Sequence, residues 1–71
     1  MEYVIKQIES DEKIVEISVT PGLCFSAAQN DLYRTSLLYK FESGLAMVEK
    51  QYKTTDRKKA FSAFYRYKKE L

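Results

Sequence analysis

The clearest alternation of apolar and polar positions in this chain lies in residues 13–20. Val15, Ile17 and Val19 alternate there with polar side chains, and β-branched residues at a period of two indicate a strand with one buried face. The preceding segment contains Val4, Ile5 and Ile8, which do not alternate cleanly, so pattern alone is ambiguous there and the pairing register has to decide. We predict an antiparallel hairpin over residues 3–20, with strands Tyr3–Glu9 and Lys13–Thr20.

The register of this hairpin follows from the charges and apolar side chains that would meet. If the strands pair around a three-residue turn, Ile5 faces Ile17, and Lys6 meets Glu16 as an opposite-charge pair. A shift by one residue would place Lys6 opposite Ile17 and would move the apolar side chains of the first strand to the solvent-facing side. We therefore prefer the first register. It predicts inward side chains at Tyr3, Ile5, Val15, Ile17 and Val19.

The middle of the chain carries apolar residues at steps of three and four. Ser26 and Gln29 have the spacing of a capping box, and two apolar stripes follow at helical spacing. The stripes are Ala27, Leu38, Phe41, Leu45, Val48 and Tyr52, and Ala28, Leu32, Tyr39 and Ala46. This pattern predicts a helix over residues 26–53, which would be about 40 Å long if unbroken. Gly44 is expected either to kink or break this helix or to allow another helix to approach closely.

Shorter signals flank this predicted helix. Pro21 and Gly22 have the composition of a type II turn. Residues 23–25 then either form a short third strand or lead directly into the helix, and we favour the lead-in. Asp56 is a good N-cap residue, and residues 56–70 have the apolar spacing of a second, shorter amphipathic helix. Its predicted apolar stripe is Ala60, Phe64, Tyr67 and Leu71.

Together these elements predict a single small α+β domain over residues 1–71, with a hairpin followed by a long and a short helix (ββαα). A chain of 71 residues has a marginal core. Its single cysteine, Cys24, allows no intramolecular disulfide, and without histidine a transition-metal site would need carboxylates and one thiol. We therefore expect no metal and no cofactor, and we expect self-association to add stability.

The charge is unevenly distributed although the net charge is only +2. Acidic residues outnumber basic ones up to residue 49, and from Lys50 onward eight cations face only Asp56 and Glu70. A basic helix face with tyrosine beside it is typical of surfaces that bind acidic partners or a phosphate backbone, and also of ordinary solvated helix faces. The candidate contact residues on this helix are Lys58, Lys59, Tyr65, Arg66 and Lys69.

A second candidate surface for protein contact consists of Tyr33, Arg34 and Tyr39. Tyrosine suits such surfaces because it buries a large area and keeps a polar group. Arg34 either forms a local ion pair with Asp31 or anchors a partner.

No motif in the sequence indicates catalysis, so we predict that the chain is not an enzyme. Without histidine there is no ordinary general base near neutral pH, and Gly22 and Gly44 are too far apart to form a phosphate-binding loop. No secretory signal or long apolar segment is evident, so we expect a cytoplasmic protein with neither a membrane partner nor a small-molecule substrate. The sequence favours a self-associating protein-interaction module that acts as an accessory, inhibitor or adaptor protein. A small nucleic-acid-binding protein is the alternative.

Overall fold

Residues 1–22 and 30–71 are described by the computed structural model of this chain. Four antiparallel strands follow one another in a single sheet, in the spatial order of the sequence, and one helix follows them. The strands are β1 (Tyr3–Glu9), β2 (Lys13–Thr20), β3 (Leu32–Lys40) and β4 (Ala46–Thr54), and the helix is α1 (Arg57–Lys68). The fold is therefore ββββα, and it belongs to the α+β class.

The strands of the predicted hairpin are confirmed, but their register is only partly right. Tyr3 lies opposite Val19 as expected, whereas Lys6 lies opposite Ile17. The cause is a β-bulge at Ile5, which adds one residue to β1 and shifts every later pair by one position. As a result, both Ile5 and Ile8 pack against the core. Tyr3 shares the face of the buried Val19, as expected from the register, but it is 51% exposed and does not belong to the core.

The predicted helix over residues 26–53 is wrong throughout its described part. Residues from Leu32 onward form β3 and β4, and a tight turn joins the two strands. In this turn the Gly44 N–H donates to the Phe41 carbonyl (3.0 Å), and the Phe41 N–H donates to the Leu45 carbonyl (2.8 Å). Gly44 has φ +92°, a conformation that glycine adopts without strain, so it ends a hairpin turn instead of kinking a helix. The proposed capping box and the segment 23–25 lie outside the described residues.

The partner strand β2 explains why β3 is a strand. Tyr33, Thr35 and Leu37 are buried on one face of the sheet, and each lies opposite an inward residue of β2. The same stretch also contains apolar residues at helical steps, so periodicity alone does not distinguish the two structures. Pairing with β2 decides between them, because it satisfies backbone N–H and C=O groups of both strands along their whole length.

α1 packs across one face of the sheet and completes the core. Its N-cap is Asp56, as predicted, and a carboxylate oxygen accepts hydrogen bonds from the N–H groups of Lys58 (2.9 Å) and Lys59 (3.4 Å). The Thr35 hydroxyl donates to the Ala60 carbonyl (2.9 Å) and so links β3 to the helix. The buried apolar cluster is Val15, Ile17, Val19, Tyr33, Leu37, Ala60, Phe64 and Tyr67. Leu71, which was expected in the apolar stripe of the helix, is 37% exposed.

The two edge strands of the sheet both carry an irregularity. β1 has its bulge at Ile5, and β4 has one at Glu49, because Leu37 pairs with Lys50 while Leu38 pairs with Val48. Bulges and charged side chains on edge strands discourage pairing with the sheet of another molecule. Any association of this chain is therefore expected to use side chains more than the backbone of a strand edge.

Candidate anion-binding surface

The solvent-exposed side of α1 is the main candidate functional surface. The helix buries Ala60, Ala63, Phe64 and Tyr67 against the sheet, and the residues on its opposite side are exposed. We call this side the cationic face. It consists of Lys58, Lys59, Ser62, Tyr65, Arg66 and Lys69. All five contact residues predicted on this helix therefore lie on one continuous surface, because their helical spacing follows the same side of the helix.

The cations of this face form no ion pair with any carboxylate in the described part of the chain. The ion pairs found there are Lys13–Glu49, Arg34–Glu2, Lys40–Glu9 and Lys50–Glu70. Three of these pairs involve only residues of the sheet strands or the N-terminus, and the carboxylate of Asp56 is occupied by backbone N–H groups of α1. The positive charge of the cationic face is therefore balanced only by solvent ions.

Glu70 is the one acidic side chain that follows α1, and β4 neutralises it. Nζ of Lys50 lies 2.8 Å from Oε2 of Glu70. This hydrogen bond raises the pKa of Lys50 and lowers the pKa of the Glu70 carboxyl group, so each partner favours the charged state of the other. Glu70 consequently does not compensate the charge of Arg66, which lies one helical turn earlier.

A groove of about 310 Å³ runs between α1 and β4. Its lining residues are Tyr52, Lys59, Ser62 and Arg66. The three helical residues are spaced by three and four positions and therefore line the same side of α1. Tyr52 lies opposite Thr35, on the side of β4 that faces the helix. Two cations and two hydroxyl groups thus line one concave surface, and each of them can donate a hydrogen bond to an anionic oxygen.

Within the cationic face, Tyr65 is the residue that contacts β1. Nζ of Lys6 donates a hydrogen bond to its hydroxyl oxygen (3.0 Å), and this bond lowers the pKa of Tyr65. The same Nζ lies 5.1–5.9 Å from the ring centroids of Phe61, Phe64 and Tyr65, a distance range typical of cation–π contacts. The ring of Tyr65 also packs edge-on against Phe64 (5.6 Å). Tyr65 is therefore held in place by the protein and offers only part of its ring to a partner.

The other predicted contact residues, Tyr33, Arg34 and Tyr39, do not share one surface. Tyr33 is buried in the core, whereas Arg34 lies on the opposite face of the sheet and pairs with Glu2 at 2.7 Å. The separation is a direct result of strand geometry, in which neighbouring side chains point to opposite faces. Tyr39 lies at the far end of β3 and packs against Phe41 (5.4 Å).

The local ion pair suggested between Asp31 and Arg34 does not form. Asp31 instead accepts a hydrogen bond from the backbone N–H of Gly22 (3.0 Å). The suggested pair required helical geometry, whereas Asp31 directly precedes β3 and Arg34 is the third residue of that strand.

Exposed apolar side chains collect around the turn between β3 and β4. They are Phe41 (44% exposed), Leu45 (70%), Met47 (55%) and Val48 (48%). Acidic residues lie beside them, because Asp11, Glu12 and Glu42 line a depression together with Tyr39 and Phe41. We call these four apolar residues the turn cluster.

Sequence reasoning missed two residues of the groove. Ser62 lies at helical spacing between Lys59 and Arg66, so its place on the same side of α1 could have been predicted from the sequence alone. Tyr52 comes from β4, and no local pattern connects it to α1.

Comparisons of this chain with protein-family models, curated proteins and solved structures find no match. Within the described residues, no helix is long and apolar enough to cross a membrane. Residues 1–22 and 30–71 also contain no group of three or more His, Cys, Asp or Glu side chains placed to hold a metal ion.

Proposed function

We propose that this chain is a non-catalytic nucleic-acid-binding protein that contacts the phosphate backbone with the cationic face of α1. The observation that carries this proposal is the exposed charge of that face, whose four cations form no ion pair within the described residues, whereas four of the eight lysines and arginines elsewhere pair with a carboxylate. Such a surface binds a polyanion because each neutralised phosphate releases condensed counterions.

The dimensions of the face suit several phosphates at once. Lys58 and Lys69 are separated by eleven residues, which corresponds to about 16 Å along the helix axis. One strand of a duplex places a phosphate about every 3.4 Å along its axis, so about five phosphates lie within this length. Lys58, Lys59, Arg66 and Lys69 supply the four expected contacts. Because they reach phosphates only, we expect binding to depend little on base sequence.

The test is fluorescence anisotropy of labelled single-stranded and duplex DNA and RNA, titrated with the full chain at several salt concentrations. We expect log affinity to fall linearly with log salt concentration. Four contacts predict a slope of about −3.6 for a duplex and about −2.8 for a single strand. Absence of binding at the lowest salt, or a slope near zero, would contradict the proposal. Tighter binding of polyglutamate than of either nucleic acid would instead identify an acidic protein as the partner.

Self-association is a second candidate function, and the turn cluster is the observation that favours it. The long helix that first suggested a dimer does not exist, whereas four large apolar side chains at one end of the sheet are 44–70% exposed. We propose that two copies associate around a two-fold axis at this end of the sheet, with the most exposed side chain, Leu45, at the centre of the contact and Met47 and Val48 on opposite faces of β4.

Light scattering on the parent chain and two variants tests this contact. We expect a dimer for the parent chain and a monomer for Leu45→Lys, because a charge at this position would have to be buried in the interface. Leu32→Lys is the matched control, since Leu32 is 39% exposed at the opposite end of β3 and should leave the dimer intact. A parent chain that stays monomeric up to its solubility limit would exclude the dimer.

A further inference from the structure

We infer that the groove between α1 and β4 is a binding site for a single phosphate group. In this site the phosphate lies between the side chains of Lys59 and Arg66, and the hydroxyl groups of Ser62 and Tyr52 donate hydrogen bonds to its oxygens. The phosphate comes either from a nucleic-acid backbone, in which case the inference rests on the proposed function, or from a free phosphate compound, in which case it does not.

The spacing of the lining residues supports one bound group and not two. Lys59 and Arg66 are seven residues apart, which places their backbone positions about 10 Å apart along the helix axis. Their long side chains can converge on one anion above Ser62, which lies between them. Arginine offers a planar pair of N–H donors to phosphate oxygens, and lysine offers a point charge with three donors, so the two side chains complement each other.

The two residues with hydroxyl groups give the groove its shape. Ser62 is the only small side chain among the four lining residues, and it keeps the groove open where a larger residue would fill it. Tyr52 packs against the core cluster and therefore forms a fixed wall. At about 310 Å³, the groove is at the lower end of the volume range of small-molecule sites, about 300–1,000 Å³.

The electrostatics of the groove also favour an anion. Two carboxylates flank the groove along α1: that of Asp56 accepts hydrogen bonds from the backbone N–H groups of Lys58 and Lys59, and that of Glu70 is paired with Lys50. Lys59 and Arg66 form no ion pair with the described residues, so an incoming phosphate does not have to displace a carboxylate. Lys58 and Lys69 lie outside the groove lining and attract a phosphate only at longer range.

The experiment compares two variants that change the lining of the groove with one variant that removes a positive charge elsewhere in the protein. The full chain is titrated with inorganic phosphate and with a single-stranded oligonucleotide, and binding is followed through NMR shifts of backbone amides. Ser62→Ala and Lys59→Gln are each expected to weaken phosphate binding about tenfold, the usual effect of losing one hydrogen bond to a charged group. Lys53→Gln removes the same charge from β4, where Lys53 is exposed, lies opposite Arg34 and belongs to neither the groove nor the cationic face, so it should change phosphate binding less than about twofold.

The outcomes separate this inference from the proposed function. If Ser62→Ala has no effect and Lys59→Gln behaves like Lys53→Gln, the groove is not a site, even if the oligonucleotide binds with the expected salt dependence. If inorganic phosphate binds and the groove variants weaken this binding as predicted, while the oligonucleotide does not bind, the site stands. Its natural ligand is then a free phosphate compound. Ser62→Ala should fold normally, because Ser62 is exposed and alanine favours a helix.

Discussion

The Phe64→Ala variant is expected to lose about 3–5 kcal/mol of unfolding free energy, the usual cost of removing a large aromatic side chain from a core. Phe64 is fully buried, and it belongs to the cluster that joins α1 to the sheet. Domains are commonly stabilised by about 0.05–0.15 kcal/mol per residue, so the expected loss approaches the whole stability of so short a chain. Urea denaturation followed by circular dichroism measures this change.

The neighbouring aromatic residue provides the control for this variant. Tyr65 is 48% exposed, so Tyr65→Ala leaves no buried cavity and should reduce the unfolding free energy far less than Phe64→Ala, although it removes the hydrogen bond with Lys6. Similar losses in the two variants would show that α1 does not pack on the sheet through Phe64. That result would contradict the described core.

Reversing the charge of Lys59 and Arg66 is expected to weaken nucleic-acid binding about a thousandfold. Changing both to glutamate alters the local charge by four units, and each unit near an anionic surface is worth about 1 kcal/mol. The salt slope should also become less steep, by about two if Lys59 and Arg66 contact separate phosphates and by about one if they share the phosphate of the groove. Anisotropy titrations of the double variant and the parent chain, made at the same salt concentrations, measure both effects.

A matched double variant separates local contacts from the change in total charge. Lys13→Glu combined with Lys40→Glu also takes the net charge from +2 to −2. Both residues form ion pairs away from the helix, with Glu49 and Glu9 respectively, and exposed pairs of this kind contribute at most about 1 kcal/mol to stability. We expect this variant to keep most of its affinity. Equal losses in the two double variants would show that the cationic face has no special role.

The sequence alone was sufficient to predict those parts of the structure that depend on residues close together along the chain. The alternation of Val15, Ile17 and Val19 predicted β2, and Asp56 predicted the start of α1, because strand periodicity and helix capping are both local properties. The cationic face could be predicted for the same reason. Its residues share one side of a single helix, so their relative positions follow from spacing along α1.

Only the tertiary structure decided between helix and strand for residues 32–54. This stretch has apolar residues at helical steps and also alternates at Tyr33, Thr35 and Leu37, so its local pattern is compatible with both structures. β3 pairs with β2 across an intervening segment, and no local window of sequence contains that partner. The bulge at Ile5 was likewise unpredictable, because it depends on how β1 fits against β2 and the core.

The same division applies to the candidate site. Lys59 and Arg66 were predictable from α1, whereas the groove between them also needs Tyr52, which β4 brings from another part of the chain. Local spacing along the sequence thus determined the hairpin strands, the last helix and its charge. Contacts between distant strands decided the sheet and the groove, because the free energy of a sheet comes from partners that are far apart in sequence.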